Sequence, residues 1–276
     1  MADSTHDFFI HVNEDEKHLV IDRKELGRNV LDYIDQEMAN GKSKEYISIC
    51  GADQVCFDYF IEHYGASYRY IELFKCQLIS DFSSLEKLDN LERVDIFWNT
   101  RTAELWDFSK NKKLKTLRIN DCKKLTLSPN FPLNKTSLEE IEFGGDIFNK
   151  YQMESLQCFA NLPSLKKLEL YQIKLADRNI SFLDGMENLI QFDFDAGMFT
   201  TEEIAHICAK YPHLKGCCLG PYEKTKNKSK EIRICGYRKP TIEIPRQQNL
   251  LDKYIKEFNQ LVENEKALIN AQKCSK

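Results

Sequence analysis

Leu91-Glu92-Arg93-Val94-Asp95-Ile96 sets the architecture of this chain, because its pattern, L-x-x-L-x-L, returns throughout the middle of the sequence. It recurs as Leu114-x-x-Leu117-x-Ile119, Leu138-x-x-Ile141-x-Phe143, Leu165-x-x-Leu168-x-Leu170, Leu189-x-x-Phe192-x-Phe194 and Leu214-x-x-Cys217-x-Leu219, at intervals of 23 to 27 residues. Such a period is the mark of a solenoid, in which each unit buries its apolar face against its neighbours. Working outward, Tyr68-x-x-Ile71-x-Leu73 and Lys44-x-x-Ile47-x-Ile49 keep the spacing upstream. Ile232-x-Ile234 reads as a last strand downstream, for about nine strands in all. The pattern predicts strands near 47–49, 70–73, 93–96, 116–119, 140–143, 167–170, 191–194 and 216–219. Helical segments are expected at Val55 to Tyr64, Met153 to Asn161 and Thr200 to Tyr211, the last with Thr200 or Thr201 and Glu203 as a capping pair.

These units resemble the leucine-rich repeat family, whose phrase continues L-x-x-L-x-L-x-x-N/C-x-L. The Asn/Cys position is filled by Cys76, Asn99 and Cys122, then departs to Asp146, Ile173, Gly197 and Tyr222. The resemblance covers residues 44–236. It implies an α/β solenoid with a curved parallel sheet on the concave side, helices and turns on the convex side, and protein binding as its usual work. Residues 8–12 and 18–21 read as short strands, and Asp22 with Glu25 opens a helix closed by Gly41, so 1–43 is expected to be an N-terminal cap. Pro240 and Pro245 bracket a short strand at 241–244. A helix follows from about Gln247 to Gln272, with Leu251, Tyr254, Ile255, Phe258, Leu261, Val262 and Leu268 along one side, making 237–276 a C-terminal cap.

Composition narrows the function. A net charge of −4 over 276 residues does not mark a nucleic-acid binder. No apolar run approaches a membrane helix, and Met1 to Asp7 lack the basic and apolar regions of a secretory signal. Ten cysteines without a C-x-x-C pair, several at buried repeat positions, predict free thiols in a cytoplasmic protein. No phosphate loop, nucleophile elbow or zinc helix occurs. The nearest metal-like pair, His206 and Cys208, lies two apart on one helix and cannot share an ion. The expectation is therefore a non-enzyme without metal or cofactor.

The strand columns carry the candidate site. Between the second and third anchors stand Ser48, Glu72, Asp95, Arg118, Glu142, Glu169, Asp193, Cys218 and Arg233, five of nine of them acidic. Equivalent residues on neighbouring strands sit about 4.8 Å apart, so the column sets like charges side by side, with Arg118 interrupting it. The column after the first anchor, Arg69, Glu92, Lys115, Glu139 and Lys166, alternates in sign as a ladder of surface ion pairs would. Tyr46 and Tyr70 share one flanking column; Phe74, Phe97 and Tyr171 share the other. Aromatics flanked by charge are what interface hot spots look like. The predicted partner-binding set is thus Tyr70, Glu72, Phe74, Asp95, Phe97, Arg118, Glu142, Glu169, Tyr171 and Asp193. Its weighed alternative is a solvated charged face, with Arg93 and Lys167 neutralising the acids. The partner expected is a protein, basic if the acidic column is used, bound by a monomer as an inhibitor, immunity-type protein or adaptor. Two other readings stand beside it: a nucleic-acid contact through the basic 224–239 loop, and docking to an enzyme assembly through the C-terminal helix.

Overall fold

The computed structural model describes residues 17–40, 45–127, 137–146, 149–160, 162–224 and 230–274. In chain order the strands are β1 (Lys17–Val20), β2 (Tyr46–Cys50), β3 (Tyr70–Phe74), β4 (Arg93–Asn99), β5 (Thr116–Cys122), β6 (Glu140–Gly144), β7 (Tyr151–Met153), β8 (Lys167–Tyr171), β9 (Ile173–Leu175), β10 (Gln191–Phe194), β11 (Glu231–Arg233) and β12 (Thr241–Glu243). The helices are α1 (Arg23–Leu26), α2 (Val30–Ala39), α3 (Gln54–His63), α4 (Thr201–Lys210) and α5 (Gln248–Cys274).

Eight strands form one parallel sheet in the order β1-β2-β3-β4-β5-β6-β8-β10. The register is that of the repeat: Ile71 opposes Val94, Val94 opposes Leu117, Leu117 opposes Ile141 and Ile141 opposes Leu168. Strand side chains alternate, so this phase sends every second and third anchor to one face. Val94, Ile96, Leu117, Ile119, Ile141, Phe143, Leu168 and Leu170 are all buried there, with the first anchors Leu91, Leu114, Leu138, Leu165 and Leu189 beneath them. Each such side chain contributes about 1.5–3 kcal/mol by leaving water. The chain is an α/β solenoid.

Beneath the strands, Asn99 is 1% exposed; its amide donates to the carbonyls of Cys76 and Ile79, and its oxygen accepts from the amides of Arg101 and Thr102. Cys76 fills the same place more weakly, its thiol donating to the carbonyl of Ile49 at 3.4 Å. At the ends of β2, β3, β4, β5 and β8 the chain turns through a left-handed residue: Gly51, Lys75, Trp98, Asp121 and Gln172 all have φ between 51° and 78°. A Cβ on Gly51 would stand 2.5 Å from the carbonyl oxygen of Ile21, so glycine is required there.

Several expectations are corrected. Between most strands the return path is a short 3-10 turn, as at Ser83–Lys87, Phe108–Lys110 and Ser181–Gly185. Helices occur at α3, where Asp53 caps the amide of Cys56, and at α4, where Thr200 and Glu203 form the reciprocal capping box. Among the described residues of the segment Met153 to Asn161 there is the end of β7 and a 3-10 turn at Leu156–Phe159, with no α-helix. β7 pairs in parallel with β9 apart from the main sheet. The strand expected at 216–219 does not form; a single parallel bridge joins Lys215 to Gln191. A Cβ on Gly216 would meet the carbonyl oxygen of Phe192 at 2.1 Å, and Gly220-Pro221 turns the chain away from the sheet. Ile232 belongs to β11, which pairs antiparallel with β12 in a separate sheet.

At the first end, β1 lies parallel to β2, the connection running through α1 and α2. Asp22 accepts the amides of Lys24 and Glu25 as α1 begins. Residues 8–12 and Gly41 lie outside the described residues. At the other end, α5 packs along α4. Phe258, Leu261 and Val262 join the main core, while Leu251, Tyr254 and Ile255 join a smaller cluster with Ile234 and Ile242. Leu268, expected on the same apolar side, is 57% exposed.

Candidate functional site

The sheet's outer face carries the charge column in the order read from the sequence, since Glu72 opposes Asp95, Asp95 opposes Arg118, Arg118 opposes Glu142, Glu142 opposes Glu169 and Glu169 opposes Asp193. Each acid has its own partner. Tyr46 donates to Glu72 at 2.9 Å. Asp95 accepts both Arg93 nitrogens, at 2.9 and 2.6 Å, and the Tyr70 hydroxyl at 2.7 Å. Glu142 lies 3.4 Å from Arg118 and accepts from Asn120 at 2.8 Å. Lys167 reaches Glu169 at 2.6 Å, and Tyr171 donates to the same carboxylate. Arg93 and Lys167 stand two residues before the acids they bind, so strand alternation puts both groups on one face. The acids of the column are thus paired within the sheet's own network, with Arg93 and Lys167 beside Asp95 and Glu169.

Burial tunes these groups. Burial, then the Asp95 charge and hydrogen bond, push the Tyr70 hydroxyl well above its ordinary range. Burial raises Glu142, with the Arg118 charge and Asn120 opposing it. The neighbouring alternating column forms as expected. Arg69 bridges Glu45 and Glu92 at 3.1 and 2.6 Å, and Glu139 sits between Lys115 and Lys166 at 3.3 and 2.6 Å. The hydrogen bond from Lys166, then that from Lys115, hold Glu139 below the usual carboxylate range.

Two of the expected contact residues are corrected. Tyr171 is 8% exposed and Asp193 5%, so neither offers a surface to a partner. Asp193 is covered because the chain after β10 folds over it: its carboxylate accepts the amide of Cys217 at 2.7 Å and also the side chain of Gln191. Tyr171 lies beside Asp193 and Glu169, and burial, then those two charges, raise its hydroxyl.

The aromatic group is displaced rather than lost. Phe74 and Phe97 stack with centroids 5.4 Å apart and planes 16° from parallel, both half-buried. Trp98 stands next to them, also half-buried and in a left-handed conformation, and the Lys75 ammonium lies 4.9 Å from the Phe74 ring and 5.6 Å from the Trp98 ring. Trp98 and Lys75 are not among the residues expected from the sequence: Lys75 follows β3 and Trp98 lies near the end of β4, both with positive φ, where strand alternation no longer assigns a face. On the other flank, Tyr46 and Tyr70 lie 4.3 Å apart and Arg93 covers the Tyr70 ring at 4.2 Å.

The rival surfaces look different. Lys226 and Lys228 of the basic loop lie outside the described residues. Lys224, Lys230, Arg238 and Lys239 are exposed, but Tyr237 is held between Arg178 and Arg238 at 4.5 and 5.0 Å. His206 bonds Glu265 of α5 at 2.6 Å, so it ties two helices together. Among the described residues, no helix is long and apolar enough to cross a membrane. Cys217, Cys218 and Glu223 also lie outside the expected set, yet their Sγ and carboxylate atoms fall within 4.8 Å of one another. The signal in the sequence is the adjacent pair Cys217-Cys218, which a C-x-x-C spacing does not capture.

No family model matches the sequence. No curated protein matches it either. Among solved structures, an internalin from Listeria monocytogenes is similar over 61% of this chain and 53% of its own, at 12% sequence identity and a TM-score of 0.44. The chain spans about half the length of that internalin.

Proposed function

We propose that this chain is a non-catalytic interaction module that binds a protein partner on the outer face of its parallel sheet, in the manner of an inhibitor, immunity-type protein or adaptor. The observation that carries the reading is the group Phe74, Phe97, Trp98 and Lys75, a stacked and cation-capped aromatic surface beside the charged column. Aromatic anchors of this kind dominate binding energy at protein interfaces, and the paired acids around them supply a polar rim. Because Asp95, Glu142 and Glu169 already have basic neighbours, the partner is selected by fit to the aromatic group more than by positive charge. Residues 17–40 and 237–274, the described parts of the two end segments, serve as covers for the two ends of the solenoid. β1 and α2 shield the first repeats and α5 the last, where open strand edges and core would otherwise meet water.

The test compares Trp98→Ala and Phe97→Ala with a control at Lys253, exposed on α5. Truncating an anchor should cost about 2 kcal/mol or more in partner affinity. Lys253→Ala should leave it unchanged. Equal binding by all three proteins would move the site off this face.

A further inference from the structure

We propose that Arg178, Arg238 and Lys239, set around Tyr237, form a binding surface for single-stranded nucleic acid, apart from the sheet face that carries Phe97 and Trp98. Arg178 follows β9, Arg238 and Lys239 lie in the turn between β11 and β12, and Tyr254 belongs to α5. The Tyr237 ring is 44% exposed and carries the Arg178 guanidinium at 4.5 Å from its centroid and that of Arg238 at 5.0 Å. The two guanidinium carbons are therefore no further apart than those two distances together. Lys239 continues the row, its ammonium 5.2 Å from the centre of the Tyr254 ring. Among the described residues, none of these three cations is ion-paired with a carboxylate. Asp177, beside Arg178 in sequence, accepts the amide of Asn179 instead. Arg233 faces Glu223 at 3.8 Å and stands outside the site.

The cations are held in place from behind. Arg178 Nε donates to the carbonyl of Met198 at 3.2 Å, which leaves the terminal nitrogens of the fork for a ligand. The turn that carries Arg238 and Lys239 is pinned to the chain at the start of α4. Its Gly236 amide donates to the carbonyl of Ala196 at 2.8 Å, and the Thr201 hydroxyl donates to the carbonyl of Cys235 at 3.3 Å. A Cβ on Gly236, at φ 138°, would stand 2.3 Å from that hydroxyl oxygen, so glycine lets the turn lie this close to α4. Within the turn, the Lys239 amide donates to the Gly236 carbonyl at 3.2 Å, and the Ile234 amide to that of Pro240 at 3.1 Å. Arg238 itself has φ 59°, the left-handed region that residues other than glycine rarely adopt. A turn fixed in this way presents its side chains without first having to order its backbone, which lowers the cost of binding.

The chemistry of the patch names its ligand. Like charges gathered on one ring repel each other, and an anion between them replaces that repulsion by attraction. A phosphodiester chain supplies such an anion at every nucleotide. Unpaired bases supply the second half of the fit, because they stack on aromatic rings and on guanidinium planes, and this patch holds both. An acidic peptide would neutralise the cations but leave Tyr237 without a flat partner. A duplex would offer phosphates alone, its bases being already stacked on one another. The net charge of −4 belongs to the whole chain and does not cancel the local field of three adjacent cations.

The test is fluorescence anisotropy of a labelled oligouridylate of about a dozen nucleotides, titrated with the full-length chain over a range of salt. The result expected is saturable binding whose affinity falls with salt at a log–log slope of about −2, as three cations contributing roughly 0.7 each would give. Arg178→Gln combined with Arg238→Gln should weaken binding at low salt at least roughly tenfold and bring the slope to about −0.7. Tyr237→Leu keeps the charges and should weaken binding with little change of slope. Lys87→Ala, an exposed cation in the turn Ser83–Lys87, should change neither. Unlabelled oligouridylate should displace the probe, and duplex DNA of the same length, polyglutamate and phosphatidylserine vesicles should do so at least roughly tenfold less well. If the double variant does not fold, the salt slope and the competitors decide on the unaltered chain. No saturable binding at low salt, equal displacement by duplex, polyglutamate or vesicles, or an affinity and slope unchanged in the double variant would overturn the proposal.

Discussion

Asn99 shows how much one side chain can fix. It is enclosed beneath the sheet with two donated and two accepted hydrogen bonds, all to backbone groups of the adjacent repeat and its own turn. Removing it leaves those carbonyls and amides buried without partners, so Asn99→Ala should lower the unfolding free energy by about 3 kcal/mol in a denaturant titration. Asp121 is a second informative residue. Burial, then the Asp146 charge, push its carboxyl up to about 6, while Lys123 at 3.7 Å opposes them. Its folded value lies above the unfolded value of 3.8, so folding favours the protonated acid. Asp121 therefore subtracts stability at pH 7, and the penalty fades as pH falls through 6 towards 3.8. Asparagine tolerates the left-handed conformation here, at φ 54°. Asp121→Asn should thus stabilise the chain by about 1–3 kcal/mol at neutral pH and by nearly nothing near pH 4, as read by unfolding at both values.

At the scale of elements, the strands are legible wherever a unit keeps all three apolar anchors, because only one strand phase buries them. The sixth unit, Leu214-x-x-Cys217-x-Leu219, keeps the spacing but carries Gly216 and Gly220-Pro221 inside and after it. Those residues let the chain cross Phe192 and turn, so backbone sterics override the pattern. The partners of the acidic column are half legible: Arg93 and Lys167 follow from alternation, whereas the tyrosine hydroxyls that reach Glu72 and Asp95 come from neighbouring strands. α5 is legible as an amphipathic helix, and its docking follows from a face wider than a two-helix seam. Phe258, 4% exposed between α5 and the core, should cost about 3–4 kcal/mol when cut to alanine. Deleting 246–276 should expose the apolar residues of α4 and cause aggregation in a sedimentation assay. A deleted chain that stays soluble and monomeric would mean α5 covers nothing the fold needs.

For the whole molecule, the solenoid reduces the functional question to which outward columns touch a partner. The chain has two tryptophans, and they divide the question cleanly. Trp106 is 3% exposed and donates to Asn111 at 2.7 Å, whereas Trp98 is only partly buried, beside Phe97. In a Trp106→Phe chain, Trp98 alone reports on the proposed surface. The decisive experiment is acrylamide quenching of that fluorescence, first on the free chain and then at saturating partner. A partner seated on the aromatic group should shield Trp98, so strong quenching should fall severalfold on binding, with a blue shift of the emission. Quenching and emission unchanged while the partner is demonstrably bound would contradict this and place the interface elsewhere on the molecule.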